Sequence, residues 1–127
     1  MPKYTFVANQ YVQLGSETKP AAIPMTFTVE YAEKAISDYV WTTAQTNAAV
    51  AQGSVDKPRV VVIEVTEGTI EVANNNTGDG AITLSANATP QAGDPPATLV
   101  MFTFSPATAQ YYVTTTGPAK AKFSFFG

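Results

Sequence analysis

The sequence predicts a mainly β protein, an antiparallel β-sandwich or barrel of seven to eight strands with one inserted helix at about residues 32–52. Three observations carry this. Short runs rich in Val, Ile, Thr, Tyr and Phe alternate apolar with polar residues. Clusters of Gly, Pro, Asn and Ser separate those runs at short spacing. Residues 59–73, RVVVIEVTEGTIEVA, read as two β-branched runs on either side of a Glu67-Gly68 turn signal. At 127 residues the chain is expected to be a single domain, 1–127, able to bury roughly two-thirds of the surface its unfolded form exposes.

Lys3 to Leu14 alternates about Tyr4, Phe6 and Ala8, then Tyr11, and reads as a first strand with an irregularity near Asn9-Gln10. Residues 15–24, GSETKPAAIP, read as a loop. Met25 to Tyr31 sets Phe27, Val29 and Tyr31 on one face against Thr26, Thr28 and Glu30 on the other, a half-buried strand. Residues 32–52 lack Pro and Gly and are rich in Ala. Ala32, Ala35, Ile36, Tyr39, Val40 and Thr43 follow a helical i, i+3, i+4 spacing, with Gly53 as the stop. Within them Tyr39-Val40-Trp41-Thr42-Thr43 has the opposite, strand-forming preference.

In the central stretch a two-residue loop at Glu67-Gly68 pairs Val65 with Ile70, Glu64 with Glu71 and Ile63 with Val72. Ile63, Val65, Ile70 and Val72 then share an apolar face, while Glu64 and Glu71 sit side by side on a polar one. Asn74 to Gly80, NNNTGDG, is the most turn-prone run. Strands follow at 81–87, 98–104, 110–115 and 120–126, separated by a Pro-rich loop over 88–96, a turn at 105–109 and a turn at 116–119.

Composition excludes much chemistry. Neither Cys nor His occurs, which removes thiolate and histidine-based nucleophile systems, histidine proton shuttles and nearly every protein site for a transition metal. Net charge is −3 and Arg59 is the one arginine, so nucleic acid is not an expected partner. No apolar run approaches the roughly 20 residues that span a bilayer, so no membrane partner is expected either. The N-terminal residues alternate where a signal peptide would be continuously apolar, which predicts synthesis in a cytoplasm without export. Asn75 and Asn87 head acceptor tripeptides for glycosylation that carry little weight without an export signal. Charged residues are 13% of the chain against about 25% in an average domain. A surface of Thr, Ala, Asn, Gln and Gly suits coverage by neighbouring subunits.

Several groupings invite a chemical reading. Like charges facing across a strand pair repel, so Glu64 opposite Glu71 would call for a cation, a neighbouring subunit's lysine or a shared proton. A carboxylate pair also serves glycoside hydrolysis. Residues 74–80 resemble a calcium loop only in offering Asp79 and amides, and a plain turn explains them better. Trp41, Tyr39, Tyr111 and Tyr112 are candidates for a sugar-stacking platform, although aromatics in β domains more often fill cores or interfaces, and the adjacent Tyr111 and Tyr112 must face opposite ways. Lys120 to Gly127 carries three phenylalanines, a hazard on an exposed edge, and is expected to be a central strand of its own sheet or to be added to a neighbour's. The interface residues expected on these grounds are Glu64, Glu71, Tyr111, Phe123 and Phe125, with no catalytic, cofactor or metal site.

In overall character, a small β-rich chain without Cys or His, low in charge and with a strand near each end, the sequence resembles bacteriophage virion proteins. It is most similar in kind to the small capsid decoration (cement) proteins, and also to tail-tube subunits. The resemblance spans the whole chain and rests on no motif. It implies a non-enzymatic structural role in the virion, as a homo-oligomer such as a trimer, with itself and a major capsid or other virion protein as partners and no cofactor. A carbohydrate-binding β-sandwich and a glycosidase built on Glu64 and Glu71 are the alternatives from other functional classes.

Overall fold

The computed structural model describes residues 2–12, 21–74, 76–77, 80–86, 97–102 and 110–127, and every regular element in them is a strand. In chain order these are β1 (Lys3–Val12), β2 (Ala21–Glu30), β3 (Lys34–Trp41), β4 (Gln45–Ala49), β5 (Val60–Glu67), β6 (Thr69–Ala73), β7 (Ile82–Ser85), β8 (Ala97–Phe102), β9 (Tyr112–Thr115) and β10 (Ala119–Phe126). The expected loops over 88–96 and 105–109 fall outside the described residues, as do residues 13–20, 75, 78, 79 and 87. The backbone forms two compact units, Met1–Ala32 and Glu33–Gly127.

The first unit is an antiparallel ribbon of β1 and β2, paired from Lys3 with Glu30 to Val12 with Ala21. Lys3 Nζ lies 3.3 Å from Glu30 Oε1 at its open end, and the Thr5 and Thr28 hydroxyls lie 3.4 Å apart beside it. The register is unbroken through Asn9 and Gln10, where the sequence suggested an irregularity, and β2 starts at Ala21, inside the expected loop.

The second unit holds two four-stranded antiparallel sheets, ordered β3-β10-β5-β8 and β4-β9-β6-β7. They face one another as a sandwich-like pair and are not closed into a barrel. Strand β10 is central because Phe123 and Phe125 need cover on both sides. Phe123 has Ser37 and Ile63 as ladder neighbours, Phe125 has Ala35 and Val61, and Ala121 has Tyr39 and Val65. On the β3 side small residues therefore flank the large ones and the large Tyr39 flanks Ala121, the interdigitation that close packing demands. Ile70 and Val72 of β6 and Val113 of β9 close the same core from the facing sheet. Of the two placements expected for Lys120 to Gly127, a central strand of its own sheet is the one the second unit shows.

Two expectations are corrected. Residues 32–52 hold no helix but the strands β3 and β4. Along β3 exposure alternates residue by residue: Ala35, Ser37, Tyr39 and Trp41 turn toward the core, and Lys34, Ile36, Asp38 and Val40 turn out. Helical spacing had placed Ile36 and Val40 on the buried face with Ala35 and Tyr39. The strand wins because β10 needs a ladder partner on its second side, and the aromatic and β-branched residues 39–43 lose little by extending. Tertiary pairing overrides local alanine propensity here.

The second correction concerns residues 59–73. Strands β5 and β6 do not pair; they belong to opposite sheets. Gly68 alone joins them, with φ +75°, and a side chain there would collide with the Pro118 carbonyl oxygen. One residue cannot close a two-residue hairpin loop, so the chain turns a corner and crosses the sandwich. Ile63, Val65, Ile70 and Val72 still meet in one core, but face to face across the two sheets rather than side by side in one. The Asn-rich run beginning at Asn74 leads instead into a true hairpin, β6 with β7.

Candidate functional site

Moving β6 to the other sheet dissolves the carboxylate pair. Glu64 faces Lys122 of β10 and Thr98 of β8, while Glu71 faces Thr114 of β9 and Thr83 of β7. Each alternates along its strand with residues of the shared core, so the two carboxylates point away from each other on opposite outer faces. Glycoside hydrolysis needs carboxyl groups about 5–10 Å apart across one cleft, and these two share none. The repulsion that invited a bridging cation is likewise gone. Among the described residues no group of three or more Asp or Glu side chains converges.

The other three expected interface residues lie inside the second unit. Phe123 and Phe125 are fully buried and stack with ring centroids 6.1 Å apart, and Tyr111 packs at 6.1 Å from Phe125. Tyr112 turns the other way and is half-exposed, the opposition expected of adjacent tyrosines. Thus Tyr111, Phe123 and Phe125 are brought together as core, and Glu64 and Glu71 are kept apart.

Trp41 stacks on Tyr39 at 5.0 Å with ring planes 7° apart, and Tyr39 sets its ring edge-to-face on Phe123 at 6.0 Å. Both rings pack against the core cluster. The Tyr39 hydroxyl accepts a 2.6 Å hydrogen bond from the Ala51 amide, and the Ser37 hydroxyl donates one of 2.6 Å to the Ala51 carbonyl. Those two side chains clamp one residue of the β4–β5 connection to the inner side of β3. One face of Trp41 is therefore used internally, which weakens the case for a sugar platform.

The outer faces carry different chemistry. On the first sheet a charged row crosses the ladder as Asp38, Lys122 and Glu64, with Lys120 Nζ 3.0 Å from Glu67 Oε2 beside it. On the second sheet hydroxyls dominate: Thr69 and Ser85 lie 2.9 Å apart, and Thr114 takes part in a reciprocal pair with Asn47. Asn47 sits at φ +44° in the bulge of β4, and its amide and side-chain oxygen both engage the Thr114 hydroxyl at 3.0 and 3.2 Å. Asn tolerates this left-handed geometry at low cost. The 74–80 loop, including Asp79, lies partly outside the described residues.

One feature of this surface escaped the sequence reading: the open edge of β3. It bears Ile36, 49% exposed, and Val40, 66% exposed, and among the described residues no strand pairs on its outer side. The helical reading concealed it, and the i, i+2 alternation from Lys34 to Trp41 was the signal that marks it. No family model, curated protein or solved structure matches the chain significantly.

Proposed function

We propose that the chain is a non-enzymatic assembly subunit, a capsid decoration (cement) protein that reinforces a bacteriophage shell as a homo-oligomer seated on a major capsid protein. The observation that supports this best is the open β3 edge with Ile36 and Val40 beside it, in a chain only 13% charged. Low charge and open strand edges favour association, and many weak contacts summed over a lattice reinforce a shell without any single strong one. Tyr39, Trp41, Tyr111, Phe123 and Phe125 are used in the core of the second unit, which leaves the hydroxyl-rich outer face of the second sheet for neighbours.

The test is to add the purified protein to shells that lack it, sediment the mixture and follow shell rupture on heating. Saturable co-sedimentation with a raised rupture temperature is the expected result. Co-purification with tails instead of shells would move the subunit to the tail tube, and binding to neither would remove the virion reading.

A further inference from the structure

We propose that the open edge of β3 pairs antiparallel with the same edge of a second copy, across a two-fold axis at Ile36. This rests on the homo-oligomer reading above and names its contact.

The hydrogen-bond phase of the strand decides which residues are offered. Glu33 N–H donates to the Gly127 carbonyl at 3.2 Å, and Gly127 N–H donates to the Glu33 carbonyl at 2.9 Å, so this pair exchanges both bonds. Bonded and non-bonded pairs alternate along an antiparallel ladder, and the β3–β10 register has no shift. Ala35, Ser37, Tyr39 and Trp41 therefore bond to β10, and Lys34, Ile36, Asp38 and Val40 direct their N–H and C=O groups to the free side. The Arg59 amide bonds to the Phe126 carbonyl on the opposite flank of β10 at 2.7 Å, as this phase requires. The residues that offer backbone groups to the edge are thus the ones whose side chains face solvent.

Phase admits only registers that set these four residues against one another. Of those, one sets opposite charges against each other: Ile36 against the partner's Ile36, with Lys34 against the partner's Asp38 and Asp38 against the partner's Lys34. Each pair exchanges both backbone bonds, two opposite-charge pairs flank an apolar centre, and the contact is self-complementary as a two-fold interface must be. Sliding the partner one way sets Asp38 on Asp38. An intermediate register sets Lys34 on Val40 and Ile36 on Asp38, a charge on an apolar side chain each time. The same charges that select this register keep the edge from pairing indiscriminately.

The chain lacks cysteine, so single-cysteine trapping reads the register directly. In the proposed register Ile36→Cys forms a disulfide-linked dimer on mild oxidation, because directly facing residues lie about 5.5 Å apart. Asp38→Cys does not, since the two copies of that residue lie four positions out of step, about 13 Å at the strand rise. Ile36→Pro removes an outward N–H that β10 does not use, so dimer signal in light scattering falls while the melting transition persists. Trapping at Asp38→Cys but not at Ile36→Cys overturns the register. An oligomer that survives Ile36→Pro and does not trap at Ile36→Cys overturns the contact and leaves the assembly reading standing. A monomer at every concentration with no trapping overturns both.

Discussion

Glu64 faces Lys122 across the β5–β10 ladder, and Lys122 faces Asp38 on its other side. One lysine thus stands between two carboxylates on the outer face of a sheet, where opposite charges directly across a strand pair contribute about 0.2–1 kcal/mol each. Lys122→Glu would set three acids abreast and is expected to cost about 1–2 kcal/mol in urea unfolding. Glu64→Gln should cost a few tenths of a kcal/mol, the reverse of the gain that a Glu64–Glu71 repulsion would have predicted. Raising salt to about 1 M, where the screening length is about 3 Å, should shrink both differences. A stabilised Glu64→Gln variant would contradict the register.

Gly68 and Gly80 share a left-handed backbone, with φ +75° and +68°, but differ in surroundings. A Cβ at Gly80 meets nothing within 4 Å, whereas at Gly68 it meets the Pro118 carbonyl oxygen and the Ala119 backbone. Gly80→Ala therefore bears only the conformational cost, about 1–2 kcal/mol. Gly68→Ala adds an overlap with backbone that cannot swing aside, about 1–3 kcal/mol more. Comparing the two melting curves checks the corner: equal losses would mean that β5 and β6 are not pinned beside the β9–β10 turn.

How far the sequence disclosed this fold is visible in the same stretch. Alternation identified the members of the core, since Ile63, Val65, Ile70 and Val72 are buried as expected. It did not identify their partners, because alternation is local and the ladder neighbours of β5 are β8 and β10, far along the chain. Glu67-Gly68 signals a change of direction equally well for a hairpin and for a corner between sheets. At 32–52 two periodicities overlapped, and the choice depended on whether β10 had a free side to fill. Among site residues, Tyr111, Phe123 and Phe125 were recognisable as apolar anchors, but whether an anchor serves its own core or a neighbour's depends on sheet order. Alternation from Lys34 to Trp41 marks β3 as a strand with Ile36 and Val40 on its outward face, but not as an edge, because an edge is defined by the strand that is missing.

The clamp on Ala51 gives a prediction in the core's periphery. Tyr39→Phe keeps the ring against Trp41 and Phe123 and deletes only the acceptor of the 2.6 Å bond from the Ala51 amide. The expected loss is about 1 kcal/mol, the net value of one such bond, with faster amide exchange at Ala51. Tyr39→Ala removes the ring as well and should cost about 3–5 kcal/mol. A Phe variant as stable as the parent, with Ala51 still protected, would show that the hydroxyl is not holding the connection.

Phe123 has the most to lose on truncation, since it is fully buried and touches aromatic rings on both β3 and β10. Phe123→Ala should cost about 3–5 kcal/mol, a large part of the stability of a domain of this size. Removing residues 123–127 goes further. It takes away Phe125, the Arg59 and Glu33 backbone partners, and half of the ladder that joins β3 to β5. The two strands would then keep only Ala119–Lys122 of the strand between them, and no cooperative unfolding transition should remain in residues 33–122. The first unit is a two-stranded ribbon, a structure that is marginal by itself in water, so it would not supply a transition in its place. A truncated chain that still melts cooperatively would mean that β10 does not organise the second unit.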